Sequence, residues 1–337
     1  MNASDITALF QRFSTIKVGV IGDFALDLYF TLQTQTGERS LETQRDVFWG
    51  SRPKASLGAA GNVVQNLMAL GISNCRVIGC VGNDLFGREM HYLLTTLGVD
   101  TQHLYTVPAG WDTCLYTKPN VNEQEANRID FGVANQLTDD LFANLITGLE
   151  EALADLDVVV INQQFASPLL TESRVDVLNE LIVRFPDVRF LADMRDLGAQ
   201  VRGATLKVNI AELANFLQVS APEFPDLNWC VRHGNAFRER SGGPLLITRG
   251  PAGTLYLDQH ETQLAEGLVL DGELDTVGAG DTVVATWAAC LGAGATPAQA
   301  VQIANLAAAV TVQKLNQTGT ASLSELLAVH AMHSFHY

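Results

Sequence analysis

The chain has 337 residues, long enough for two average domains or one large α/β domain, and its 47% hydrophobic and 17% charged residues are ample for a buried core. A net charge of −16, with only 21 Lys and Arg and no basic block, excludes the polyanion of a nucleic acid as an expected partner. Five scattered cysteines (Cys75, Cys80, Cys114, Cys230, Cys290) form no C-x-x-C pair and read as small buried hydrophobes, not as a disulfide frame or zinc site.

In chain order, a short helical pattern over Ile6–Phe13 precedes an apolar strand, Lys17–Gly22. The opening MNASDITALFQRFSTIK lacks the basic start and apolar run of a signal peptide, so a cytoplasmic protein is expected. Strands are then predicted over Cys75–Val81, Val158–Asn162, Arg189–Ala192, Pro244–Thr248 and Thr254–Leu257. Helices are predicted over Asn62–Leu70, Gly87–Leu97, Leu141–Ala154, Leu170–Arg184 and Thr282–Leu291. This alternation points to an α/β fold, a mostly parallel sheet with helices on both faces. The Ala-rich stretch Val283–Val312 is broken at Gly292–Pro297, which fits two helices joined by a turn better than a membrane span.

Two stretches, 28–54 and 105–131, are polar and strand-like. They fit either a small sheet forming a lid over a site or ordinary surface hairpins. No linker or repeat divides the chain, so one domain over residues 1–337 is expected.

The most informative segment is Asp275-Thr-Val-Gly278-Ala279-Gly280-Asp281, followed by an unbroken helical pattern. Small residues let successive N–H groups face one anion at the positive end of a helix dipole. The plain alternative is a Gly-rich turn capped by Asp281 at the start of a core helix.

The whole heptad resembles the C-terminal signature of PfkB carbohydrate kinases, which include ribokinase-like and heptose-phosphate kinases. The resemblance implies a ribokinase-like fold and ATP-dependent phosphorylation of a sugar or sugar phosphate. It assigns Asp281 as the base that takes the acceptor proton and the Gly278-Ala279-Gly280 amides as the anion hole, roles that suit phosphoryl transfer. Leu57-Gly58-Ala59-Ala60-Gly61-Asn62 resembles the family's G-G-x-x-N acceptor segment, with Ala59 in place of the second glycine. That substitution preserves close approach unless the position needs φ > 0. Gly22-Asp23-Phe-Ala-Leu-Asp27 lies where α/β sheets bind ligands, and the resemblance favours Asp27 over Asp23 as an acceptor ligand.

Asn209 and Glu212 match the family's N-x-x-E segment, which organises water around Mg²⁺; Asn122 and Glu125 share the spacing. Thr248, Gly250 and Gly253 resemble the turn beside the ATP phosphates and ribose, and Asn305 lies on the helix expected beside adenine. The following loop, Asn316–Ser322, carries an apparent insertion over Asn316–Thr318. Asp275 is the candidate for a monovalent cation such as K⁺. A homodimer paired through the lid strands is a further expectation. His330, His333 and His336 read as part of a frayed, solvated last helix, and the exposed-looking Trp111 and Trp229 carry no motif.

Departures from the heptose-phosphate kinases fall in acceptor segments. Asn162–Phe165 lacks S-D-Y-x-K-G, Met194-Arg195-Asp196 replaces P-K-G, and Leu41–Asp46 lacks S-P-E-x-P. Lys118 and Arg195 are the candidate substitutes for the missing lysines. The reading is therefore a kinase with its transfer machinery kept and its acceptor open. A nucleoside kinase of the same fold and a non-catalytic sugar or nucleotide sensor are the alternatives. A dinucleotide-binding dehydrogenase is disfavoured, since no G-x-G-x-x-G follows the first strand.

Overall fold

The computed structural model describes residues 1–122, 124–165, 169–315 and 317–334, with the side chain of residue 334 also excluded. Asn316 and His336, both singled out in the sequence, lie outside the described residues.

Among the described residues the main sheet has nine strands, in the spatial order Thr262–Ala265, Thr254–Leu257, Leu245–Thr248, Thr205–Asn209, Arg189–Met194, Val158–Gln163, Lys17–Gly22, Asn74–Gly82, Asp100–Val107. Pairing is parallel from Leu245–Thr248 to Asp100–Val107, and antiparallel for the two strands at the other edge. A parallel sheet covered on both faces needs strands that are apolar at every position. Val158-Val-Val-Ile161 supplies one. Val158 and Val160 join the core on one face with Val18, Val20 and Trp287, while Val159 and Ile161 join the core on the other with Ile21 and Leu149.

The Ala-rich stretch forms two helices, Ala279–Gly292 and Pro297–Thr311, the second opened by a Thr296/Gln299 capping box with Pro297 in its first turn. Among the described residues no helix is long and apolar enough to cross a membrane. All five cysteines are buried.

A second, smaller sheet is built on Phe24–Gln33. This strand pairs antiparallel with Lys54–Ala59 and Trp49–Gly50, and parallel with Cys114–Val121. The last of these also pairs with Gln124–Glu125 and Asp130–Phe131.

Its boundaries differ from those expected. The small sheet begins at Phe24, not Leu28, because the chain runs from one sheet into the other with Phe24, Ala25 and Leu26 still buried. Residues 105–107 belong to the main sheet, pairing with Cys80–Gly82. The polar start of this edge strand, Asp100-Thr-Gln, hides it from pattern reading. The last helix, Leu323–Ser334, is not a frayed end. Leu326 and Val329 are buried in the core, and His330 Nε2 lies 2.9 Å from the Met1 carbonyl oxygen. Trp111 is likewise buried, and Trp229 packs beside His233.

Candidate active site

The first strand ends at Gly22, and the two aspartates that follow it separate in role. Asp23 is buried and accepts backbone N–H bonds from Gln164, Phe165 and Leu169 at 2.8–2.9 Å. It organises the loop after Val158–Gln163. Burial nevertheless pushes its pKa up to about 6, against those three bonds. Asp27 faces a cavity of about 400 Å³ that is also lined by Ala59, Tyr116, Lys118, Arg128, Arg195 and Asp281. Gly58 lies against it, since a Cβ there would stand 3.2 Å from the Asp27 carboxyl. Burial raises the Asp27 pKa, and Lys118 and a bond from Thr318 oppose the rise.

The heptad forms the turn into Ala279–Gly292. Gly278 has φ +80° and is the residue before the helix, a left-handed conformation that glycine accepts without strain. The Ala279 N–H is engaged with the Thr276 carbonyl at 3.2 Å, while the Gly280 and Asp281 N–H groups lie in the first turn, where a helix offers no intrahelical acceptor. Asp281 Oδ2 accepts a 2.6 Å bond from Asn62 Nδ2. Asn62 is buried at the start of Ala60–Ala69, so this bond ties the Gly58–Asn62 segment to the heptad. Burial and the nearby Asp193 charge push the Asp281 pKa up to about 7, with Asn62 and Lys207 pulling the other way.

On the other side of the turn, Asn209, Thr248, Gly250, Gly253, Ala279, Gly280 and Asn305 line a second cavity of about 440 Å³. Leu268, Leu270, Val283 and Ala309 supply an apolar wall. Asn305 Nδ2 donates to the Glu266 carbonyl at 2.8 Å, and Thr248 Oγ1 to the Val208 carbonyl at 3.4 Å. Asn209 and Glu212 form a reciprocal capping box at the start of Ile210–Leu217, with bonds of 2.9 and 2.8 Å. The rival pair Asn122/Glu125 lies on the small sheet, with Asn122 in a left-handed turn at φ +49°. Asp275 is fixed by its N–H to the Val312 carbonyl at 2.8 Å, and its carboxylate accepts the Val277 N–H at 3.0 Å. It lines a third cavity of about 870 Å³, which shares Lys118 with the first.

Ala59 is held at φ +50°, ψ −129°. The family's glycine is therefore replaced at a position that does require positive φ. Of the altered acceptor segments, Gln164, Phe165 and Arg195 line the Asp27 cavity. Gln163 does not; its Oε1 accepts the Asp196 N–H at 3.0 Å. Asn162 is fully buried, and its amide has no hydrogen-bond partner among the described residues. Residues Leu41–Asp46 are not among those lining this cavity; Arg39 and Asp46 close the loop in an antiparallel bridge, with Leu41 exposed.

The structure also brings in residues that the motifs did not name as ligands. Lys207 is paired with Asp193 beneath the turn, and a lone lysine in the apolar strand Thr205–Asn209 was the available signal. Thr318, in the apparent insertion, bonds Asp27 and Tyr29. Arg128 lies over the Tyr116 ring, 4.7 Å from its centroid, and pairs with Asp130 at 2.7 Å.

The model of the pfkB family of carbohydrate kinases matches residues 51–323. The chain belongs to the pfkB carbohydrate kinases. The bifunctional protein HldE of Trichlorobacter lovleyi is 31% identical over 332 residues, which cover 97% of this chain and 65% of the relative. The kinase thus spans 65% of that relative's length. A structure of phosphofructokinase-2 from Escherichia coli in complex with potassium matches at TM-score 0.74 and 18% identity, covering 95% of this chain and 99% of that one. A putative ribokinase II from E. coli in complex with ATP and Mg²⁺ matches at TM-score 0.69 and 22% identity, covering 94% and 100%. These structural likenesses establish the ribokinase-like fold of the kinase.

Proposed function

We propose that this kinase transfers the γ-phosphoryl group of Mg·ATP to a hydroxyl of a sugar or sugar phosphate, with Asp281 as general base. The observation that carries this reading is the position of the Gly278–Asp281 turn between two cavities. Asp281 lines the cavity that holds Asp27, and Gly280 lines the cavity that holds Asn209, Thr248 and Asn305. A hydroxyl bound beside Asp27 and Asn62 would meet a carboxylate whose pKa, about 7, suits proton acceptance near neutral pH.

ATP fits the second cavity chemically. An apolar wall suits a base, while the first-turn N–H groups suit phosphates. ATP supplies the phosphoryl group. The chain's part is to orient the acceptor with Asp27, Gly58, Ala59 and Asn62, to remove its proton at Asp281, and to oppose developing charge with the N–H groups of the turn.

For Mg²⁺ the fit runs through water. Asn209 Oδ1 and Glu212 Oε2 are committed to the capping box, so the remaining Glu212 oxygen is the group for a hydrated ion. Asp275 is the corresponding group for K⁺. The small sheet serves in this reading as the lid that excludes water, and its exposed Phe48 and Trp49 offer a surface for pairing two copies in a cytoplasmic homodimer.

ADP production against a panel of sugars, sugar phosphates and nucleosides tests the reading. Turnover with a sugar or sugar phosphate, lost in Asp281→Asn, is expected. Full activity in Asp281→Asn would remove the base assignment. Preference for a nucleoside would move the chain to a nucleoside kinase. Ligand-dependent stabilisation without ADP would make it a sensor.

A further inference from the structure

Lys207 is a buried cation that the reaction outlined above leaves without a task. It sits opposite Asp193 in the register of two neighbouring parallel strands, with Nζ 3.1 Å from Asp193 Oδ1. The two side chains are only 7% and 4% exposed. Such a pair contributes little net stability compared with apolar residues in the same space, because both charges must be desolvated. Its location is more telling than its strength. A Cβ on Gly280 would stand 3.2 Å from Lys207 Nζ and 3.7 Å from its Cε. The ammonium therefore lies directly against the first turn of Ala279–Gly292, and Lys207 lines the same cavity as Asn209, Thr248 and Gly280. A helix N-terminus and an ammonium converge on one point, and among the described residues Asp193 accounts for one of the ammonium's three donors.

We propose that Lys207 is a further catalytic group of this kinase, its ammonium shared between Asp193 and the phosphoryl group in transfer beside Gly280. The inference rests on the kinase reading. In the step concerned, a bond forms between the acceptor oxygen and the γ-phosphorus as the bridging oxygen–phosphorus bond breaks. The acceptor proton passes to Asp281, and the bridging electron pair leaves with ADP. Lys207 opposes the negative charge on the phosphoryl oxygens and needs little reorganisation, since Asp193 already holds it in place. Burial acts against its charge, but Asp193, Glu212 and Asp281 overcome it and hold the pKa above the ordinary lysine value. Asp193 prevents an unpaired buried ammonium when no nucleotide is bound.

The test compares binding of ATP and adenosine to the full chain by calorimetry, alongside steady-state turnover. Lys207→Met is expected to weaken ATP binding about tenfold or more, leave adenosine within about twofold, and lower kcat about a hundredfold. Because that variant strands the Asp193 carboxylate, Lys207→Met combined with Asp193→Asn, a neutral pair, is measured with it and should show the same selective loss. Lys207→Arg should recover part of the ATP affinity. Wild-type ATP affinity and kcat in the double variant would overturn the inference. So would equal losses of ATP and adenosine binding, which mark a structural role. Absence of ATP binding by the wild-type chain would overturn the kinase reading and this inference with it, whereas wild-type turnover unaffected by the Lys207 variants overturns the inference alone.

Discussion

Asn62 Nδ2 lies 2.6 Å from Asp281 Oδ2, joining two helix starts that are 219 residues apart in sequence. The bond does two things. It fixes the carboxylate in the cavity that Asp27 lines, and it lowers a pKa that burial and Asp193 have raised. Asn62→Ala should therefore shift the acid limb of the kcat/KM profile to higher pH, with a lower plateau. An unmoved limb would separate Asn62 from the titration of Asp281.

The raised Asp281 pKa also has a consequence for stability. It stands at about 7 in the fold against 3.8 for an unperturbed carboxyl. Between those values the folded chain holds a proton that the unfolded chain has released, so this group's contribution to stability is fully present below pH 3.8 and lost as pH rises through 7. Asp281→Asn removes the titration. The variant should lose activity by about 10²–10⁴-fold, and its Tm relative to wild type should be higher at pH 8 than at pH 5. A Tm difference independent of pH would show that the carboxyl is not desolvated in the fold.

Ala59 gives a prediction of opposite character. At φ +50°, ψ −129° an L side chain is strained by about 1–3 kcal/mol, and glycine is not. Glycine's greater freedom in the unfolded chain offsets about 0.5–1 kcal/mol of the gain. Ala59→Gly should thus stabilise the kinase by about 1 kcal/mol in urea denaturation, and Ala59→Val should destabilise it. If Ala59→Gly were destabilising, the backbone there would not be under strain.

The strained backbone of Ala59 marks the limit of what the sequence made legible. Small residues in a fixed order picked out Gly58–Asn62, but whether a position needs positive φ is decided by how two sheets and a helix meet. The same division holds elsewhere. Val158–Gln163 and Lys17–Gly22 were readable because strands buried in the middle of a parallel sheet are largely apolar. Lys207 and Thr318 were not. The first acts across a strand register and the second from an inserted loop, and neither relation is written in local pattern. Asp23 and Asp27 are four residues apart with similar chemistry; the resemblance favoured Asp27, and the N–H groups of Gln164, Phe165 and Leu169 that hold Asp23 while Asp27 lines the cavity were not legible in local pattern.

Asp23 should behave as a structural carboxylate. Asp23→Ala leaves three backbone N–H groups without their acceptor, two of these bonds being fully buried, a loss of about 3 kcal/mol. Since Phe165 in the released loop lines the acceptor cavity, KM for the acceptor should rise while KM for ATP holds. A change confined to ATP would contradict the placement.

Thr318 is the remaining residue whose role was hidden. Its hydroxyl lies 2.9 Å from Tyr29 Oη and donates to Asp27 Oδ2 at 3.3 Å, while its methyl covers the Gly278 turn, where a Cβ on Gly278 would approach it to 2.8 Å. Tyr29 belongs to the small sheet and Thr318 to the loop following the Asn305 helix, so the pair ties one wall of the cleft to the other. Each bond contributes about 0.5–1.5 kcal/mol. Thr318→Ala should therefore raise KM for the acceptor by about 3–10-fold, and Tyr29→Phe by less, because Thr318 can still bond Asp27. The two changes share one hydroxyl, so the double variant should fall short of the sum by about 0.5 kcal/mol or more in a double-mutant cycle on kcat/KM. Strict additivity would mean that Tyr29 and Thr318 act on the acceptor separately, and that the small sheet is not tied to the turn through this contact.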